Sequence, residues 1–220
     1  MADLNRRGFL ASLREVFSSR SDGDLFFLGI QAVINVYGEA ELRRDIHRIL
    51  AEAPETERPL EKSVYYKRIA AVLREHVPSI EYGYWDYLTD ANEAAGEFDD
   101  WLREINATSA TVEEELGEEI DEGFRLSAEK DYVVVTLLFL LEHGREHETL
   151  ARMLDTIPEE RQFTPWAFAR LVDALNYIDF ERAQADATFI HPGSDEDGFS
   201  WTDMRAPGWE YLRPVIGTVD

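Results

Sequence analysis

The chain has no cysteine, only three lysines (Lys62, Lys67 and Lys130) and no apolar run of the roughly 18 residues that a membrane-spanning helix needs. Without cysteine, disulfides, thiolate zinc sites and cysteine nucleophiles are excluded together. The glycine-rich phosphate loops GxGxxG and GK[ST] and the nucleophile elbow G-x-S-x-G are also missing, so nothing favours nucleotide binding or serine hydrolysis. No cofactor is expected.

What is present is acid. There are 45 acidic against 22 basic residues in a chain of 220, a formal net charge of −23. Such a surface repels phosphate backbones and anionic lipids, and the basic residues occur only as scattered pairs such as Arg6-Arg7 and Arg43-Arg44. The expected partner is therefore a protein, not a nucleic acid or a membrane. The acid excess, with arginine far ahead of lysine, resembles adaptation to a salty cytoplasm, where ions screen self-repulsion. A GC-rich genome with an ordinary acidic surface accounts for the same composition. Arg6-Arg7-Gly8-Phe9-Leu10 looks like the start of a twin-arginine export signal, but Ser12, Arg14, Glu15 and Ser18 interrupt the apolar segment such a signal requires. Phe9, Leu10, Leu13, Val16 and Phe17 instead predict an amphipathic helix, and the expected location is cytoplasmic.

Apolar residues at 3.6 spacing predict helices through the first hundred positions. Ala91, Ala94, Ala95, Phe98, Trp101, Leu102 and Ile105 form the clearest stripe, with Asp90 and Glu93 placed as a capping box. Leu25 to Tyr37 is apolar nearly all round and reads as a buried helix; Leu42, Ile46, Ile49 and Leu50 make another stripe. Val64, Tyr65, Ile69, Val72 and Leu73 make a third, ending before Pro78. In EEELGEEIDE, Thr111 and Glu114 can cap a short acidic helix carrying Val112, Leu116 and Ile120.

After Lys130 the pattern changes. YVVVTLLFLL, Tyr132 to Leu141, opens with β-branched residues and reads as a strand buried on both faces. Thr164-Pro165 begins a helix with Phe168, Leu171, Val172 and Leu175 inside, and Ala183 to His191 alternates as a second strand. Ser200 with Asp203 caps a short helix beyond the loop HPGSDEDGF. The sequence thus predicts one α+β domain over 1–220: a helical part at 1–107, a short acidic helix at 111–123, and a sheet-containing part at 125–220 with a βαβ-like unit.

Tyr132-Val-Val-Val-Thr-Leu-Leu138, a helix ending near Leu175, and ATFIHPGSDEDGFSWTDMRAPGWEYLRPV together resemble the C-terminal pattern of a family of uncharacterised bacterial and chloroplast proteins classed as a domain of unknown function. The resemblance extends from Arg68 to Val215, more loosely through LREHVPSIEYGYWDY and AAGEFDDWL. This chain lacks the membrane segment and glycine-rich tract of many relatives. The resemblance implies continuity of fold and carries over no activity and no catalytic residue.

Two groups of residues have chemical potential. HGREH matches the inverted zinc-peptidase spelling H-x-x-E-H at His143, Glu146 and His147; on a helix the imidazoles would lie a turn apart, as zinc ligands, with the carboxylate activating water. A hydrophilic turn explains the same letters, and Gly144 loosens a helix there. The aromatics Tyr82, Tyr84, Trp85 and Tyr87, joined by Trp201, Trp209 and Tyr211, could instead form a partner surface or line a small-ligand pocket, with core packing as the plain alternative. The expected function is a non-enzymatic interaction or assembly module, with a metal-dependent hydrolase and a small-ligand binder as the alternatives.

Overall fold

A computed structural model describes residues 25–54, 58–117, 130–193, 198–205 and 208–218, with the backbone alone described for 106–117. Five strands, β1 (Leu25–Asn35), β2 (Ile80–Leu88), β3 (Tyr132–Glu142), β4 (Ala183–His191) and β5 (Arg213–Pro214), form one antiparallel sheet in the order β4-β3-β1-β2-β5. Six helices accompany it: α1 (Ala40–Ala51), α2 (Pro59–Glu75), α3 (Ala91–Gly117), α4 (Glu148–Asp155), α5 (Pro165–Ala174) and α6 (Trp201–Met204). The α+β class read from the sequence is the observed one. No described helix is long and apolar enough to cross a membrane.

The sheet is covered on both sides. On one face Phe26, Leu28, Ile30 and Ile34 of β1 and Val133, Val135, Leu137 and Phe139 of β3 meet α1, α2, α4 and α5 in the main core. On the other, Phe27, Leu138 and Leu140 meet Ala94, Phe98 and Leu102 of α3, while Val33 and Val134 meet Phe199 and Met204 from the C-terminal segment. A strand so enclosed need not alternate, since each residue reaches apolar surroundings whichever way it points.

That enclosure corrects the helical reading of Leu25 to Tyr37. Eleven of those residues are β1, which pairs with β3 from Leu25↔Glu142 to Asn35↔Tyr132. An apolar run without a period does not distinguish a buried helix from a strand paired on both edges. The helical part at 1–107 is corrected a second time by β2, which crosses it at Ile80–Leu88 and pairs with β1. The βαβ-like unit is corrected as well: β3, two helices and β4 do follow in order, but β3 and β4 are adjacent and antiparallel, so no parallel crossover is made. Nor does a helix begin at Thr111, because α3 runs unbroken from Ala91 to Gly117. Positions 118–123 of the expected acidic helix, the amphipathic stretch from Phe9 to Phe17, and Asp195, Glu196 and Asp197 lie outside the described residues.

The caps follow their sequence signals. The Asp90 carboxylate accepts from the backbone N–H groups of Asn92 (3.0 Å) and Glu93 (3.2 Å). Thr164 Oγ1 accepts from Ala167 N–H ahead of Pro165, and Ser200 and Asp203 form a reciprocal box. Under α2, Asp186 of β4 is held on both oxygens: Lys62 Nζ donates at 2.6 Å and the Tyr66 hydroxyl at 2.8 Å, and Thr188 donates back to Tyr66. Burial, then the neighbouring Asp186 charge, pushes the Tyr66 phenol well above its ordinary value, so it stays a donor.

Close approach sets one glycine. A Cβ on Gly83 would stand 2.3 Å from Cζ of Phe168 and 2.8 Å from the Gln31 carbonyl oxygen, so α5 can seat its phenyl ring only on bare backbone. Gly83→Ala should therefore cost about 2 kcal/mol through overpacking. Urea unfolding checks this, and a variant as stable as the parent would show that α5 is not pressed against β2.

Candidate functional site

The HGREH segment does not form a helical metal site. His143 and Gly144 lie outside helix, Gly144 is extended, and Arg145–His147 is a single 3-10 turn before α4. His143 is exposed beside Phe26, with ring centroids 4.8 Å apart, and Glu146 is also exposed. His147 is buried at 1% exposure. Its Nδ1–H donates to the Glu142 carbonyl (2.8 Å), and its Nε2 accepts from the Asp179 backbone N–H (3.0 Å). Both ring nitrogens are thus engaged by groups that define their roles, a neutral imidazole with the proton on Nδ1. No group of three or more potential ligands that could hold a metal occurs among the described residues.

The same bonds explain the antiparallel return. Glu142 ends β3 and Asp179 precedes β4, so one imidazole ties the chain's departure from the sheet to its reappearance, and β4 starts beside the end of β3. His147→Ala should cost about 2 to 3 kcal/mol by leaving a buried carbonyl and N–H unpaired, whereas His143→Ala should cost less than about 1 kcal/mol. Chemical denaturation separates them. Equal effects, together with zinc lost from both variants, would restore the hydrolase alternative.

The aromatic group is divided by the sheet. Trp85 and Tyr87 face the main core, where Trp85 Nε1–H donates to the Gln162 carbonyl (2.9 Å) and Tyr87 packs edge-on to Phe26. Tyr82 and Tyr84 face the α3 side. The four do not form one surface, because successive residues of a strand point to opposite faces.

On the α3 side a different set assembles. Glu97, Trp101 and Glu104 stand at steps of four and three along α3, a stripe overlooking β2. The Trp101 ring lies 5.7 Å from that of Tyr84, and its Nε1–H donates to Glu97 Oε1 (2.8 Å). The tip of its indole passes 3.2 Å from where a Gly29 Cβ would sit, and Gly29 pairs with Asp86, the next β2 residue on that face. Tyr211 closes the inner end, edge-on to Tyr84 at 5.6 Å, its hydroxyl donating to Gln31 Oε1 (2.7 Å). Gln31 Nε2 in turn donates to Thr136 Oγ1 (3.0 Å), a buried polar rung across β1 and β3. Farther along β2, Tyr82 lies 5.3 Å from Trp201, which carries Arg205 over its face at 5.7 Å. Trp201 and Tyr211 remain 42% and 38% exposed. The result is a strip of phenol and indole rings between α3 and β2, a trough in the sense that the helix and the sheet flank it, with carboxylates beside it and Phe163 stacked on Tyr84 at 6.4 Å.

Its electrostatics follow from partial burial. Burial raises the Asp86 carboxyl above its ordinary value, and among the described residues no arginine or lysine pairs with it. Burial, then the charges of Asp86 and Glu97, raises the Tyr84 phenol. Tyr211 is pushed up to about 12, chiefly by burial and further by Glu104, against the lowering effect of its bond to Gln31. These phenols remain protonated near neutrality and act as donors and flat apolar faces, not as bases.

The sequence placed Tyr82, Tyr84 and Tyr211 among the candidates, with Asp86 lying within the aromatic group, but treated Trp101 as core and passed over Glu97 and Glu104. The available signal was the pair of glutamates at i−4 and i+3 from an indole on the flank of the apolar stripe. No family model matches the chain, and no curated protein or solved structure matches it either.

His191, at the end of β4 on the same side of the sheet, packs against Trp209 at 6.0 Å. Burial lowers its imidazole below the ordinary 6.5. The unfolded chain therefore takes up that proton more readily than the folded one. The contribution of this residue is intact above the unfolded value and is lost as the pH falls from there through the folded value. The stability advantage of the parent over His191→Gln should shrink between about pH 7 and 5 in urea titrations. An advantage independent of pH would show that burial does not act on this ring.

Proposed function

We propose that this chain is a non-enzymatic protein-interaction or assembly module whose contact surface is the trough between α3 and β2, and that it works in the cytoplasm. The supporting observation is the set of partly exposed rings, Tyr82, Tyr84, Trp101, Trp201 and Tyr211, gathered on one side of the sheet instead of being distributed through the core. Large, stiff aromatic side chains at a surface provide contact area at low entropic cost. The alternatives find less support. A hydrolase built on His143, Glu146 and His147 would need an imidazole nitrogen that His147 does not have to offer. A small-ligand binder would need an enclosed cavity lined by these aromatics, whereas the depression of about 370 Å³ near His143, His147 and Asp155 and the space of about 10 Å³ between Ile46, Ile69 and Val135 are lined by none of them. The resemblance to the uncharacterised bacterial and chloroplast family is part of this proposal and adds no activity to it.

A photo-crosslinking residue at position 201 tests the assignment against the same residue at position 60, where Leu60 is 76% exposed on α2. Illumination in cells should give an adduct of discrete mass from position 201 and none from position 60. Adducts from both positions alike, or from neither, would overturn the trough as the contact surface.

A further inference from the structure

Building on the trough as contact surface, we propose that its partner is a protein segment presenting an arginine, whose guanidinium lies on the Trp101 and Tyr84 rings and pairs with the Asp86 carboxylate. Three observations lead there. First, Asp86 is a partly buried carboxylate whose one hydrogen bond is to the adjacent Tyr87 N–H (2.8 Å), with no arginine or lysine paired to it among the described residues. A carboxylate in that setting gains more from an incoming cation than one in open water, because the pair is less screened.

Second, the walls suit a planar cation. Glu97 hydrogen-bonds Trp101 on α3 and Asp86 follows Tyr84 on the same face of β2, so the charges of both carboxylates act on the Tyr84 phenol, whose ring also meets Phe163 (6.4 Å) and Tyr211 (5.6 Å). The cation whose charge acts on the Tyr84 phenol is Arg213, on the exposed strand β5. At Tyr84 the two acids Asp86 and Glu97 act against that one cation, and ring faces add attraction for a cation lying over them. Arginine fits better than lysine, since its flat guanidinium can stack on a ring and present paired N–H donors to a carboxylate at once.

Third, the chain already makes this contact with its own side chains. Arg205 lies over Trp201 at 5.7 Å along the same aromatic band, and on the opposite side of the molecule Arg161 and Arg170 lie over Trp166 at 4.1 and 5.1 Å. Trp101 has no guanidinium of its own among the described residues that is recorded over its ring, although its edge is anchored to Glu97.

The test uses two short peptides on the whole chain at about 0.15 M salt, where attraction from the overall −23 charge is largely screened. One has two arginines spaced by glycine; the other replaces each arginine by citrulline, which keeps the shape and removes the charge. The arginine peptide should bind, moving the indole N–H resonance of Trp101, and the citrulline peptide should bind at least about tenfold more weakly, the scale of one charge-assisted hydrogen bond. Asp86→Asn should reproduce that loss while retaining the acceptor for Tyr87 N–H. Glu97→Gln keeps the acceptor for Trp101 Nε1–H and provides a second variant should the first fail to fold. Asp45→Asn on α1, an exposed acid, should change affinity less than about twofold. Equal binding of the two peptides, equal losses in Asp86→Asn and Asp45→Asn, or no binding of either peptide would overturn the proposal. In each of those cases a crosslink from position 201 but not 60 would leave the interaction reading standing, and its absence would remove both.

Discussion

The structure depends on the pairing of β1 with β3. Eleven residues of each strand run antiparallel through the centre of the sheet, nearly all buried on both faces. Every described helix packs against this pair or against something resting on it. A slip of one residue would exchange the two faces, sending Phe27 and Val33 into the main core and Phe26 and Leu28 beneath α3. One rung resists such a slip chemically: Gln31 and Thr136 meet directly across the pair and are the buried polar step between the ends of the ladder. Their hydrogen bond is satisfied only in register, and the Tyr211 hydroxyl completes it from the C-terminal segment. A buried amide that loses its partner costs more than an ordinary contact, so the rung opposes alternative pairings more strongly than apolar neighbours could.

Other polar groups inside the molecule fix connections in the same way. His147 joins the end of β3 to the approach to β4, and Asp186 holds α2 to β4 through Lys62 and Tyr66. Both lie between elements distant in the chain, where hydrophobic contact is non-directional and would tolerate several arrangements. In a chain this acidic, a buried carboxylate held by one of its three lysines is a specific use of a scarce residue. Asp86 differs from Asp186 in that respect: both belong to the sheet and both lose water, but among the described residues only Asp186 is paired with a cation.

Much of the architecture was legible. The strand character of Tyr132 to Leu141 came from β-branching and from its continuous apolar run, and the caps at Asp90, Thr164 and Ser200 came from residue types whose side chains bond locally to backbone N–H groups. The failures share a cause. Leu25 to Asn35 has no period because both its faces are covered by elements from remote parts of the chain. Tyr82 to Tyr87 looked like one cluster because closeness in sequence was taken for closeness in space, although a strand separates neighbours by the thickness of the sheet. The zinc alternative at His143 and His147 needed a helix, since four-residue spacing brings the pair together only there, and the chain is extended at Gly144.

By itself the sequence determined the α+β class, the valine-rich strand, the helix caps and the net charge of −23, because each rests on composition or on contacts within a few residues. Tertiary structure alone decided that β1 is a strand, that β4 returns antiparallel to β3, and that Asp86, Trp101 and Tyr211 share a trough. Those outcomes depend on which remote surfaces cover a strand and which distant donors and acceptors meet. No local pattern encodes such meetings, since they arise only when the whole chain closes around the β1–β3 pair.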